Sequence, residues 1–161
     1  MSKELIEWRE KNLNKISKSF CAAKWYNASI HLGHGFTGSC HLPLPHPIDL
    51  EEIKTNPSAI HNTKHKKQMR KMMLKGVRPA ECSYCWKIED IGRNNVSDRV
   101  YKSIIYNEDD ISKIQEMDYR DDVLLKTLEI SFDRTCNFAC SYCNAGYSTT
   151  WGKEIQKFGP Y

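Results

Sequence analysis

The sequence has no long apolar run, and it has no fourth cysteine beside its densest cysteine motif. Every apolar run in the 161 residues is far shorter than a membrane span requires. The N-terminal segment is charged from Lys3 onward and lacks the apolar stretch of a signal peptide. The chain also lacks internal repeats and low-complexity segments. We therefore expect a cytoplasmic protein without membrane contact, in a compartment that keeps thiols reduced.

The composition, with 40% hydrophobic and 27% charged residues, is typical of a globular protein. The net charge of +4 is unevenly distributed, because residues 1–105 hold 18 basic and 10 acidic residues, whereas residues 106–161 hold 6 and 10. A basic half is compatible with nucleic-acid binding. Much of the excess, however, lies in one run from Lys64 to Lys75, which is typical of a solvated helix face. Nucleic acid is therefore not the expected partner.

The seven cysteines divide into an upstream set of four and a downstream set of three, and in a reducing compartment they indicate metal binding or catalysis. The upstream set, Cys21, Cys40, Cys82 and Cys85, supplies the four ligands of a closed site. The downstream set is Cys136, Cys140 and Cys143, spaced C-x3-C-x2-C. Structural zinc and iron–sulfur clusters usually take four protein ligands. Three ligands on one loop therefore predict a metal cluster with an open corner.

Helical periodicity and capping residues predict helices over residues 2–17 and 56–76. In the second helix, Asn56 is the expected N-cap, Pro57 occupies the first position, and Gly76 ends it. Its basic residues are expected on the solvent face: Lys64, Lys66, Lys67, Arg70 and Lys71. This helix is expected to deliver the Cys82–Cys85 pair.

The remaining segments differ in composition and hydrophobic pattern. The glycines and prolines of residues 19–48 predict loops with short extended pieces, and residues 107–122 are consistent with a short helix. Within Leu124 to Phe132, apolar residues alternate with polar ones from Thr127 onward, which predicts a strand. Residues 149–158 are expected to form a helix. The downstream cysteines thus occupy the loop of a strand–loop–helix unit, at the end of the strand where parallel α/β barrels place their active sites.

This unit resembles the start of the radical SAM superfamily core, on the strength of the preceding strand, the three cysteines and the aromatic Tyr142 before the last of them. The resemblance implies that Cys136, Cys140 and Cys143 hold a 4Fe–4S cluster whose fourth iron binds S-adenosylmethionine. It further implies reductive cleavage of that cofactor to a 5′-deoxyadenosyl radical, which abstracts hydrogen from a substrate carbon. Tyr142 would lie against the adenine or the cluster edge, or simply pack the loop. No catalytic residue is assigned beyond the cluster ligands.

The upstream set resembles the Twitch or SPASM auxiliary-cluster modules, because Cys21 is followed by Gly35-x4-Cys40 and then by Cys82-x2-Cys85. The resemblance implies a second 4Fe–4S cluster with a structural or electron-relay role, and a four-cysteine zinc site is the alternative. These modules commonly follow the radical SAM core, whereas here the set precedes it.

The expected fold class is α/β, or α+β overall. A loop-rich auxiliary cluster-binding module (residues 1–106) is followed by a linker helix (107–123) and by the first unit of an incomplete barrel (124–161). By resemblance the chain is the N-terminal portion of a radical SAM enzyme and is inactive alone. An electron donor such as a flavodoxin or ferredoxin is implied, with a peptide, protein or small-molecule substrate and a second polypeptide completing the barrel. The alternatives are a non-catalytic iron–sulfur electron carrier and a zinc-knuckle protein that binds nucleic acid.

Other polar residues are weaker candidates. The loop histidines are possible substitute ligands but more often surface groups: His31, His34, His41 and His46. A second group follows the Cys82–Cys85 pair and is a candidate for substrate contact: Glu89, Ser97 and Arg99. A third flanks the downstream triplet and is a candidate for hydrogen bonds to a cluster: Asp133, Arg134 and Asn137.

Overall fold

The computed structural model describes residues 2–160, which form short helices packed around a small mixed sheet. The helices are α1 (Ser2–Arg9), α2 (Ala23–Tyr26), α3 (Leu50–Thr55), α4 (Lys64–Leu74), α5 (Ser83–Ile91), α6 (Asp98–Tyr101), α7 (Glu108–Lys113) and α8 (Thr149–Phe158). The strands are β1 (Asn27–His31), β2 (Phe36–Gly38), β3 (His46–Pro47) and β4 (Thr127–Ser131). Single turns of other helix types cover Glu10–Asn14, Pro57–Ile60, Ala80–Cys82 and Ile114–Glu116. The fold is α+β, as expected.

The sheet has the order β3-β2-β1-β4, so β3 and β4 are its edge strands within the described residues. Strand β1 pairs antiparallel with β2 and parallel with β4, where Asn27 lies opposite Thr127 and His31 opposite Ser131. A parallel pair needs a long crossover connection. Here that crossover is everything between β1 and β4, so the strand that leads into the downstream cysteines is paired with one from the upstream half.

The core lies between the N-terminal segment, α2 and the helices α4 to α7. Its largest fully buried apolar side chains include Trp25, Phe20 and Leu13. Phe20 and Trp25 stack with ring centroids 5.0 Å apart. Within residues 2–160, no helix is long and apolar enough to cross a membrane.

The helix expected over residues 56–76 is wrong as a single element. Asn56 does cap a helical turn, accepting a hydrogen bond from the Ser58 amide, and Pro57 is its first residue. That turn ends at Ile60, and α4 begins afresh at Lys64 with the Thr63 hydroxyl accepting from the Lys66 amide. Threonine and asparagine caps each start their own helix because their oxygens satisfy backbone amides that lack a partner in the first turn.

The solvent face expected for α4 is also wrong at two positions. Arg70 is 0% exposed and Lys66 is 1% exposed. The Arg70 guanidinium donates to the carbonyls of Lys24, Trp25 and Asp121. Because a buried cation needs hydrogen-bond partners, these carbonyls explain why the side chain lies inside. The basic run therefore presents fewer charges to solvent than its composition indicates.

The C-terminal elements agree closely with expectation. Strand β4 lies within the predicted 124–132 segment, and α8 has the predicted bounds. The apolar side chains of this strand are not covered, however, since Leu128 is 53% exposed and Ile130 is 38% exposed. The alternation predicted strand β4 correctly, and the apolar face of the strand is exposed to solvent.

Two candidate cysteine sites

The four upstream cysteines line one cavity. Cys21 precedes α2, Cys40 follows β2, and Cys82 and Cys85 lie at the start of α5, yet all four border the same small cavity. The chain brings them together because β2 folds back along β1, which returns Cys40 toward the segment that carries Cys21. The four residues that the sequence groups together therefore line one cavity, and their role as ligands stays a prediction.

The helical turn Ala80–Cys82 and the first turn of α5 present the Cys82 and Cys85 thiols on one side, as the two-residue spacing allows. The Trp86 indole next to them donates to the Pro79 carbonyl at 2.9 Å, which fixes this turn. Cys21 is approached by the Ser103 hydroxyl, 3.9 Å from Sγ, and the same hydroxyl accepts from the Ala22 amide. Three separate elements thus hold the cavity walls.

Burial dominates the electrostatics of this cavity. It raises the pKa of the Cys82 thiol to about 12 and of the Cys85 thiol to about 11, and it also raises the pKa of Cys40. The protein without metal therefore keeps these groups protonated at neutral pH. Since metals bind thiolates, loading the site must release protons.

Lys24 is a functional candidate that sequence reasoning missed. Its side chain lines the cavity, is only 3% exposed, and pairs with the Glu81 carboxylate. Burial by itself lowers the pKa of this ammonium, but Cys82 and Glu81 raise it above its ordinary value. Lys24 thus places a positive charge where thiolates would form. The only signal in the sequence was its position three residues after Cys21.

Two further cations reach the cavity. Arg99 lines it while its guanidinium pairs with Glu89 at 2.7 Å, and the Ser97 hydroxyl donates to the same carboxylate at 2.6 Å. Lys102 also lines the cavity. Glu89, Ser97 and Arg99, considered above for substrate contact, therefore form a buried ion-pair network beside the four thiols.

The loop histidines do not line this cavity. His46 lies 2.7 Å from the Thr63 hydroxyl and stacks on His65, whose Nε2 is 2.5 Å from Glu81. His41 lies 3.6 Å from Asp98. His31 ends β1, and His34 lies exposed in the following turn.

The downstream cysteines lie elsewhere, on the loop of residues 132–148 between β4 and α8. This loop leaves the C-terminal end of the parallel β1/β4 pair, whereas Cys21 precedes the N-terminal end of β1. Strand β1 spans about 13 Å at the usual rise per residue. Within the described chain, residues of the loop take no part in lining the four-cysteine cavity. The two cysteine sets are therefore separate sites at opposite ends of β1.

The N-terminus of α8 anchors the first cysteine of the loop. The Cys136 amide donates to the Thr149 hydroxyl at 3.3 Å, and the Thr150 hydroxyl donates to the Cys136 carbonyl. The Trp151 indole donates to the Cys140 carbonyl at 3.0 Å. Ser148 caps the helix by accepting from the Trp151 amide. Helix α8 thus fixes the loop backbone at two of its three cysteines.

Most side chains on this loop, but not the three thiols, are exposed to solvent. The three thiols are half-buried, and the Cys136 sulfur accepts a hydrogen bond from the Phe138 amide at 3.4 Å. Tyr142 is 90% exposed, and a hydrogen bond with Cys140 raises the pKa of its phenol. Asp133 accepts from the Thr135 amide at 2.5 Å. The Arg134 carbonyl accepts from the Thr149 amide at 3.0 Å. Asn137 lies exposed on the loop.

As the side chains stand, no three His, Cys, Asp or Glu residues between residues 2 and 160 are arranged to hold a metal ion. A single tetrahedral zinc needs its sulfurs about 3.8 Å apart, from a Zn–S distance of about 2.3 Å. In a four-iron cluster each thiolate binds a different iron, so the sulfurs surround a larger body. No family model, curated protein or solved structure matches the chain.

Proposed function

We propose that the chain is an iron–sulfur protein with two cluster sites and that it forms the N-terminal part of a radical SAM enzyme. The observation that carries the proposal is the spatial division of the cysteines into four around one cavity and three on a separate loop. Four thiolates complete the coordination of a cluster, and three leave one metal position free. That free position is the one a substrate or cofactor occupies in catalytic metal sites.

In the closed site, Cys21, Cys40, Cys82 and Cys85 would be the ligands of an auxiliary 4Fe–4S cluster. The buried Lys24 ammonium beside them offsets the negative charge of the thiolates. Met73 and Trp86 line the same cavity and limit access by water. This environment supports a structural or electron-relay role, because no ligand position is left for a substrate.

In the open site, Cys136, Cys140 and Cys143 would hold the catalytic 4Fe–4S cluster, with S-adenosylmethionine as the ligand at its free corner. When bound, that pair supplies the reductive cleavage that yields a 5′-deoxyadenosyl radical. The contribution of this chain is to hold the loop backbone through α8 and to leave the thiols accessible. Tyr142, at the surface of the loop, is available to lie against the adenine.

The edge of β4 that faces away from β1 is where further structure would complete the open site. The carbonyl of Ser131 faces β1, where it accepts from the Leu32 amide. Because backbone groups alternate in direction along a strand, those of Leu128 and Ile130 face away from β1. An unpaired strand edge with exposed apolar side chains supports pairing with a further strand. We propose that a second polypeptide or further barrel strands cover it. An electron donor such as a flavodoxin or ferredoxin, and a peptide, protein or small-molecule substrate, complete the proposal.

The test is iron and sulfide analysis after anaerobic reconstitution, with zinc offered in competition. The proposal expects about eight irons per chain, as two four-iron clusters require. Cys82→Ala/Cys85→Ala and Cys140→Ala/Cys143→Ala are matched double variants, one for each site. Each is expected to retain about four irons. Zinc with no cluster absorption would refute the proposal and support a zinc-knuckle protein, and its binding to nucleic acid should then weaken steeply with salt.

A further inference from the structure

The turn between β1 and β2, residues 32–35, packs against the start of the downstream cysteine loop. The Leu32 amide donates to the Ser131 carbonyl at 2.9 Å, which extends the parallel pairing one residue beyond β1. The next residue, Gly33, then meets the chain as it leaves β4. A Cβ atom on Gly33 would lie 3.3 Å from the Asp133 Cα and 3.4 Å from the Phe132 carbonyl oxygen. Both of these atoms belong to the backbone.

The close approach, and not backbone conformation, is what favours glycine at position 33. Positive φ angles occur in the described chain at Gly35, Gly76 and Gly159, but not at Gly33. Gly35, two residues further along the same turn, has φ +68, and a Cβ atom added there would meet no atom within 4 Å. One turn therefore holds two glycines with different requirements, since Gly33 needs space beside the loop and Gly35 needs a left-handed backbone.

The contact between Gly33 and Asp133 lies three residues before Cys136, the first cysteine of the triplet. Asp133, whose backbone meets Gly33, accepts a hydrogen bond from the Thr135 amide at 2.5 Å through its own carboxylate. Thr135 is bonded to Cys136, which the N-terminus of α8 holds from the other side. The loop therefore leaves the sheet between two fixed points, the β1–β2 turn and α8.

We propose that Gly33 is a positioning residue for the three-cysteine site. Because Gly33 has no side chain, the β1–β2 turn can pack against the backbone of Asp133. This contact fixes the position at which the cysteine loop leaves the sheet. The inference rests on the proposed cluster at Cys136, Cys140 and Cys143. It links the upstream half of the chain to the open site through backbone contact alone.

The test is cysteine protection in the full chain after anaerobic reconstitution, mapped by alkylation and mass spectrometry. In the wild type, all seven cysteines are expected to resist alkylation. Gly33→Val is expected to expose Cys136, Cys140 and Cys143 while the upstream four stay protected, with iron falling from about eight to about four per chain. The control is Gly35→Asn. Asparagine tolerates the left-handed backbone, so this variant should bind as much iron as the wild type and protect the same cysteines.

The outcomes separate this inference from the proposed function. A wild-type triplet that is never protected refutes the open cluster site and this inference with it. A wild type protected at all its cysteines and a Gly33→Val variant protected equally well refute the positioning role alone.

If valine unfolds the chain and exposes every cysteine, the milder variants decide. Gly33→Ala and Asp133→Ala should each expose the triplet selectively, and Asp133→Asn, which keeps the acceptor oxygen, should restore protection. Full protection in both alanine variants overturns the proposal.

Discussion

Two buried cations on α4 should respond in opposite ways to the same replacement. Arg70 and Lys66 lie one helical turn apart and are 0% and 1% exposed, respectively. Methionine has a similar length and removes the charge and the donors in both cases. The two variants differ in how many buried hydrogen-bond acceptors lose their donor.

Arg70 leaves several acceptors without their donor. It donates to the carbonyls of Lys24 and Trp25 at 3.1 and 3.4 Å, to the Asp121 carbonyl at 3.1 Å, and to the Asn62 side chain at 2.9 Å. Asn62 keeps a second donor in the Val123 amide, so three carbonyls lose their bond to the guanidinium. Asp121 is exposed, so water can replace the donor at its carbonyl, and the cost falls on the buried Lys24 and Trp25 carbonyls. At about 1–2 kcal/mol for each, Arg70→Met should cost about 2–4 kcal/mol. That is a large part of the roughly 5–15 kcal/mol typical of a domain.

Replacing Lys66 leaves fewer acceptors without a donor. Its ammonium donates to the Asn27 carbonyl at 2.7 Å, and burial lowers its pKa well below the ordinary value. A cation whose pKa is lowered in the fold destabilises the native state at every pH below its ordinary pKa, so removing it returns that free energy. Burial lowers the pKa of Arg70 too, to about 10, so this gain applies to both variants. The contrast comes from the acceptors, because only the loss of Arg70 leaves several carbonyls without a donor. Lys66→Met should therefore change stability by less than about 1 kcal/mol, or increase it.

The assay is urea unfolding of both variants at neutral pH, followed by tryptophan fluorescence. An Arg70→Met loss below about 1 kcal/mol would refute the reasoning from orphaned acceptors. So would equal losses in both variants, because burial of charge alone would then explain the result.

Three further outcomes are expected. Gly152→Ala in α8, where an added Cβ meets no atom within 4 Å, should stabilise the protein by about 0.5–1 kcal/mol in a thermal melt, and a loss would contradict the open helix face. Burial lowers the pKa of His61 to about 4 from an ordinary 6.5, so its contribution, on the order of 3 kcal/mol, is full above about pH 6.5 and lost toward about pH 4. His61→Gln should flatten the stability curve across that window, and an unchanged slope would contradict the assignment. Trp151→Phe removes the donor to the Cys140 carbonyl, 3.0 Å away, and should speed Cys140 labelling up to about fivefold, whereas an unchanged rate would show that the bond does not hold the loop.

Local signals in the sequence predicted the elements that surround the downstream cysteines. Strand β4 and helix α8 were predictable because alternation and a serine cap act within a few residues. The grouping of Cys21, Cys40, Cys82 and Cys85 followed from counting thiols against the needs of a closed metal site. In each case the controlling physics is local or is fixed by ligand number.

The features that escaped sequence reasoning depend on contacts between distant segments. Nothing near residues 27–31 reveals that this strand pairs with β4, because the partner lies in the other half of the chain. The burial of Lys66 and Arg70 depends on carbonyls contributed by other elements, so the basic pattern alone indicated solvent. The break at residues 61–63 was missed because two good N-caps, Asn56 and Thr63, occur in succession.

The most direct test of the central claim is electron paramagnetic resonance of the reduced, reconstituted protein before and after S-adenosylmethionine is added. The account expects the signal of the cluster at Cys136, Cys140 and Cys143 to change when the cofactor binds its free iron. The signal of the four-cysteine cluster should stay the same. The Cys140→Ala/Cys143→Ala variant should lose the responsive signal and keep the other. If the signals of both clusters stay unchanged when the cofactor is added, the result would contradict a free iron at the three-cysteine cluster. It would support a non-catalytic electron carrier.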